Sequence, residues 1–299
     1  MALHPFLQSW LRSVAGQRVR ETLLDAARQR LAGSPDEGPD AQPPWQRPCD
    51  VAVVFALETE SGGLEDKLEG AVTYQGQGFV VRLGALKGHR VAVVRSGAGG
   101  KAAAAATEAV LAGHQPAWVI SSGFAGGLTD AVGRHDLLIA DHVVDTAGNE
   151  LKLEIQIDSE ALAGLPRVHV GRLVSADRVV RLPDEKRSLG RTFQALAVDM
   201  ETFGVAEVCL RRRVPFLAVR VIVDAVGDRL PPDVDYLLRQ KSLGARLGAA
   251  FGALMKRPGS LKDLMKLKEQ ALIATDRLAE FLTVLIQAVA QAGRFSEKV

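Results

Sequence analysis

Four places in the 299-residue chain set acids, arginine or serines beside glycines at the end of an apolar run. Such an arrangement presents reactive side chains at the mouth of a sheet. In "FALETES" (55–61) the run ends in Glu58 and Glu60. Alternation puts both on one side if the strand continues. Such a pair reads either as a solvated strand end or as a general base at a cleft. In "RSGAGGKAAAA" (95–105) a strand enters a glycine-rich turn and then a helix, whose bare amides suit an anion or a polar ligand edge. Gly97, Gly99 and Ala102 fit the loose form of a dinucleotide turn. That motif wants an acid at the end of the next strand, where this chain has Ser121 and Ser122. In "SSGFAGGL" (121–128) Gly123, Gly126 and Gly127 let the backbone come close to a flat ligand. The fourth place pairs "VDMETFG" (198–204), carrying Asp199, Met200 and Glu201, with "VRVIVDAVGD" (219–228), carrying Arg220 and Asp224. A buried Asp or Arg needs a partner. The last two residues therefore read as an internal ion pair or as a site acid with a shifted pKa.

The elements that must position these residues alternate in type from Asp50 onward. Strands are expected over 50–57, 79–84, 89–96, 117–123, 136–144, 168–175, 195–200 and 215–223. Helices are expected over 99–114, 201–212 and 232–255. This is an α/β pattern around a mostly buried sheet, in which function collects at the carboxyl ends of strands. Residues 1–32 read as an amphipathic helix, with Leu3, Phe6, Leu7, Trp10, Leu11 and Val14 at helical spacing. It is expected to pack on the body or on a second subunit, with a helix lying on a membrane surface as the alternative. Residues 33–49 read as a Pro/Gly-rich linker. Residues 256–299 read as a helical extension broken at "RPGS" (257–260) and otherwise solvated.

Composition narrows the classes. A formal charge of +2 gives no field for nucleic acid. Two cysteines, Cys49 and Cys209, read as reduced thiols, consistent with a cytoplasmic protein. The six histidines show no metal-ligand spacing, so no metal or other cofactor is expected. No apolar run is long enough to span a bilayer.

Taken as a set, "VAVVFALETE", "SGAGGKAAAA", "SSGFAGGL", "LVSADRVV", "AVDMETFGVAEVC" and "PFLAVRVIVDAVGD" resemble the purine nucleoside phosphorylase/uridine phosphorylase superfamily over residues 50–255. The methylthioadenosine/S-adenosylhomocysteine nucleosidase branch is the most similar. The resemblance implies a three-layer α/β/α sandwich with a mixed, partly barrel-like sheet. It also implies a homodimer or larger homo-oligomer, and hydrolysis of the N-glycosidic bond of a 5′-substituted adenosine. It makes Asp224 the acid at the leaving base and Glu201 the carboxylate on the ribose hydroxyls, with Met200 against the sugar. Glu60 and Arg220 would hold the attacking water. Ala125 and Gly126 would lie along the base, and the backbone near Val180 would read the purine edge. Phe124, Asp199 and Gly97 complete the expected binding set. Ser121 stands where phosphorylases of the superfamily carry a phosphate-binding arginine, and Glu60 would repel phosphate; both favour water.

The chain departs from the nucleosidase pattern at Phe124, where a small hydroxyl residue is usual, and at Val223, where a serine is common. Phe124, "VDMET", "GDRLPP" and "RPGSLKDLMKLKEQALIATDRL" also resemble the hopanoid-associated branch. That branch is thought to act as phosphorylase or nucleosidase on a lipid-linked adenosine, and a peripheral membrane contact through the N-terminal helix would suit it. A futalosine-type hydrolase is a further alternative, although that branch often has Asn where Asp224 stands.

Overall fold

The computed structural model describes residues 48–153, 165–230 and 260–295. The expected N-terminal helix, nearly all of the linker and the helix expected over 232–255 lie outside the described residues.

The described elements run β1 (Val51–Phe55), α1 (Glu58–Glu65), β2 (Glu69–Gln75), β3 (Val80–Leu86), β4 (His89–Arg95), α2 (Gly100–His114), β5 (Trp118–Gly127) and β6 (Leu137–Asp145). They continue with β7 (Glu150–Lys152), β8 (Val168–Ser175), α3 (Pro183–Phe193), β9 (Ala197–Asp199), α4 (Thr202–Arg212), β10 (Phe216–Asp224) and α5 (Ser260–Phe295). The strands form one 10-stranded mixed sheet in the order β10-β6-β8-β9-β5-β1-β4-β3-β2, with β7 on β6. A further pairing of β10 with β5 closes β5, β10, β6, β8 and β9 into a ring. β4, β1, β5 and β10 run parallel, so their carboxyl ends open on one side.

Parity along β1 shows why the fold has three layers. Val51, Val53 and Phe55 face a cluster built with Leu64 of α1 and with Leu278, Leu282 and Ile286 of α5. Ala52 and Val54 face the other way, onto Ala103, Ala106 and Val110 of α2 and Val205 and Cys209 of α4. The ring repeats the pattern. Leu217, Val219 and Val221 of β10 face α5. Ala218 and Ile222 face inward with Leu138, Ala140, Leu173 and Ala197.

Two expectations are corrected. The tail is not a solvated helix: from Ala274 to Ala290, α5 buries Leu278, Phe281, Leu282, Leu285, Ile286 and Val289 in the main core. Each such side chain contributes about 1.5–3 kcal/mol by leaving water. Glu58 and Glu60 do not continue a strand either. β1 stops at Phe55, and both acids stand in the first turn of α1. The switch is local. Glu60 turns back so that its Oε2 accepts the N–H of Leu57 at 2.8 Å and of Ala56 at 3.0 Å, occupying amides that a helix start leaves orphaned.

Candidate active site

The carboxyl ends of β1, β4, β5, β9 and β10 converge on one place, and each brings a different group. β1 hands on to α1, which delivers Glu60. Its Oε1 accepts the N–H of Phe124 on β5 at 2.9 Å, so three backbone amides orient this carboxylate. Gly123 makes that approach possible. Its φ is +148°, and a Cβ there would lie 2.8 Å from Glu60 Oε1. Glu60 is buried, and burial raises its pKa above the ordinary carboxylate value against the pull of Phe124 N–H and Arg220.

β9 delivers two acids with different fates. Asp199 is its last residue; Glu201 occupies the N-cap position of α4. Strand alternation therefore does not relate the two. Asp199 is enclosed beneath the site. Its Oδ1 accepts Ser175 Oγ at 2.6 Å, and its Oδ2 accepts Arg220 Nε at 2.8 Å, the Thr202 N–H at 3.1 Å and the Thr202 hydroxyl. Glu201 is half-buried. Its Oε1 accepts the N–H of Gly99 at 2.7 Å. Gly204 of α4 packs so closely on Gly100 of α2 that no Cβ fits between them, and this contact brings the two helix starts together. Burial, then Asp199, then Glu60 push the Glu201 pKa up to about 8.

β10 delivers Arg220 and Asp224. Arg220 is buried, with Nη2 donating to Ser121 Oγ at 2.8 Å and to Thr202 Oγ1 at 2.7 Å besides its pairing with Asp199. This is the internal ion pair that the sequence left open, and its partner is Asp199. A bulge between Ile222 and Asp224, opposite Ala125 and Gly126, kinks the strand where Asp224 emerges. Asp224 lies along Gly126, where a Cβ would stand 3.1 Å from its Oδ2. It also pairs with the buried Lys186 of α3. Burial raises the Asp224 pKa, opposed by Lys186.

Of the remaining expected residues, Met200 and Phe124 are half-buried beside Glu201 and Glu60. Ala125 is buried in the ring cluster. Gly97 caps the end of β4, its N–H on Ala56 O at 3.0 Å. Val180 packs its side chain with Val174, Ala176 and Val198 at the ring's edge. Lys186, Ser175 and Thr202 join the site without having been marked for a role by any motif in the sequence. Lys186 stands in "PDEKRSL" at the start of α3, where no helix was expected, with Pro183 and two acids in the first turn. Nothing local marks its buried partner.

A family model described as "Phosphorylase superfamily" matches residues 50–251. The chain is 30% identical over 220 residues to a 5′-methylthioadenosine/S-adenosylhomocysteine nucleosidase of Bacillus thuringiensis (strain Al Hakam), covering 64% of this chain and 93% of that one. Among solved structures it is similar to the 5′-methylthioadenosine/S-adenosylhomocysteine nucleosidase of S. pneumoniae with a transition-state inhibitor (TM-score 0.59, 19% identity, 80% of this chain and 98% of that one). It is also similar to a futalosine hydrolase mutant of Helicobacter pylori strain 26695 (TM-score 0.57, 20% identity, 81% and 99%). The two structural likenesses establish the fold, including its closed ring. The family-model match over residues 50–251, more than half of the chain, together with the 30% identical relative, places the chain as a member of the phosphorylase superfamily.

Proposed function

We propose that this chain is an N-ribosyl hydrolase that releases adenine from a 5′-substituted adenosine of the methylthioadenosine/S-adenosylhomocysteine type. The observation that carries this reading is the grouping of Glu60, Glu201 and Asp224 at the carboxyl ends of the sheet, with the two nearby buried cations already engaged. Arg220 is held by Asp199, Ser121 and Thr202, and Lys186 by Asp224. Phosphate would meet carboxylates here and would find neither cation free. Water has no such difficulty.

The chemistry follows from the carboxylates' settings. Breaking the bond between ribose C1′ and purine N9 builds positive charge on the sugar and sends the bonding pair to the base. Asp224, whose pKa burial raises, gives a proton to the departing base. Glu60 takes a proton from water as the water oxygen bonds to C1′. Its raised pKa makes it a better base, and Oε1 keeps a lone pair beyond the three amides the carboxylate already accepts. Glu201 grips the ribose hydroxyls, with Met200 against the sugar. Phe124, Ala125 and Gly126 line the base, and the backbone near Val180 meets its edge.

The test is adenine release from methylthioadenosine, S-adenosylhomocysteine, futalosine and an adenosine carrying a long 5′ alkyl chain, each with and without phosphate. Phosphate-independent release from the first two is expected. Release that requires phosphate overturns the hydrolase reading. A preference for the futalosine or the alkyl substrate overturns the substrate class.

A further inference from the structure

Lys186 is the only buried lysine among the described residues, at 0% exposure. Enclosing an ammonium costs several kcal/mol unless its protons are matched. Here they are all matched on one short segment. Nζ donates to Asp224 Oδ2, to Ala225 O at 3.0 Å and to Asp228 O at 3.0 Å. Asp228 in turn accepts the Ala225 N–H at 2.6 Å on Oδ2 and pairs with Arg134 at 2.7 Å through Oδ1. The turn after β10 is thus pinned from α3 and from the segment before β6. Among the described residues, Asp224 Oδ1 has no hydrogen-bond partner. Lys186 therefore takes one oxygen of this carboxyl and leaves the other.

We propose that Lys186 is the positioning residue of the proton donor: by holding Asp224 Oδ2 and the 225–228 turn, it presents Oδ1 to the leaving base. The assignment rests on the reading of Asp224 as the acid. In the step itself Lys186 keeps its protons. The proton on Asp224 passes to the purine as the C1′–N9 pair moves onto it, and water supplies the hydroxyl that ends on C1′. Val223, the neighbour of Asp224 in the chain, has no hydrogen-bonding side chain, so the orientation comes from elsewhere. A lysine from α3 provides it.

The charges facing Asp224 are Lys186 from α3, Arg134 from the segment before β6 and Asp228 from its own turn. Lys186 favours the carboxylate form and burial favours the acid. Removing the ammonium leaves burial less opposed, so Asp224 keeps its proton to higher pH. A residue that only supported packing would lower activity at every pH without moving the profile.

The experiment measures kcat and KM for methylthioadenosine hydrolysis against pH in Lys186→Met, Asp224→Asn and the double variant. Lys186→Met is expected to lower kcat about 10- to 100-fold with KM changed less than about threefold. The alkaline fall in kcat should move up by about one pH unit or more. In the Asp224→Asn background the same substitution should cost less than about twofold, because the group it acts through is gone. Lys186→Gln keeps donors for the two carbonyls without the charge, and the same movement is expected of it should the methionine variant not fold. An unmoved alkaline limb, or a full loss on top of Asp224→Asn, overturns the role of Lys186. Wild-type turnover in Asp224→Asn would instead remove the acid assignment on which it rests.

Discussion

Two pairs of carboxylates build this site in opposite ways. Glu60 and Glu201 are held by backbone amides, from Ala56, Leu57 and Phe124 in one case and from Gly99 and Met200 in the other. Asp199 and Asp224 are held by buried cations, Arg220 and Lys186. An amide dipole fixes direction while leaving most of the charge unbalanced. A guanidinium or ammonium balances the charge but occupies an oxygen. The amide-held pair thus retains its capacity for new protons and hydroxyls, while burial raises the pKa of both residues as it raises that of Asp224. Asp199 is fully committed to the frame. Asp224 stands between the two cases, with one oxygen tied and one facing out. Position in the chain does not distinguish these roles, since Asp199 and Glu201 are separated by one residue.

Removing a member of the cation-held pair should have the largest effect. Asp199→Ala leaves the Arg220 guanidinium buried without its counter-charge, and a loss of about 3–5 kcal/mol in unfolding free energy is expected in a denaturant titration. A loss under about 1 kcal/mol would mean that Ser121 and Thr202 alone satisfy Arg220 and that the two pairs are less different than described. Next comes Gly123→Ala. Its Cβ would meet Glu60 Oε1 at 2.8 Å at a φ that disfavours a side chain. Shifting the carboxylate should lower kcat about 10- to 100-fold with a stability loss of only about 1–3 kcal/mol. Unchanged kcat would show that the amide cradle does not set the working position of Glu60.

The smallest effect is a pH dependence. The Glu201 pKa moves from the ordinary 4.5 up to about 8 in the folded chain. The folded form therefore keeps a proton that the unfolded form has released. The associated stability is complete below about pH 4.5 and is lost as pH rises toward 8. Glu201→Gln removes that dependence. Its melting temperature relative to the parent should rise between pH 5 and pH 8, each 1 kcal/mol appearing as about 2–4 °C. Calorimetry showing parallel curves would remove the claim that burial and the neighbouring acids Asp199 and Glu60 disfavour the charged form of Glu201.

The sequence disclosed the frame better than its joints. Runs such as "HRVAVVRS" and "PFLAVRVIV" are β-branched and apolar on both faces, and they became β4 and β10 within one or two residues. β2 and β7 went unread because Glu69–Gln75 and Glu150–Lys152 are polar edge strands, without the apolar signal of a buried one. α1 was missed because "ETESGGLE" has two glycines and little helical periodicity. Its start is set by the Glu60 carboxylate returning to the Leu57 amide. The residues carrying the proposed chemistry could be named from their motifs. The Asp224–Lys186 contact could not, because it joins two stretches 38 residues apart through side chains alone. The buried face of α5 was obscured by the lysines of its first half.

That helix has a consequence for how the protein is made. The apolar side of β1 and β10 is covered by α5, the last described element to leave the ribosome. Until it emerges, Val53, Leu217 and Val219 face water, and the nascent chain carries an open sheet face that chaperones can bind. Ribosome-bound chains ending before Ser260 should be cut readily by protease, and protection should appear only once Ile286 and Val289 have cleared the exit tunnel. Early protection would show that the sheet closes without its last helix. Folding during synthesis would then be timed by the ring of strands, not by α5.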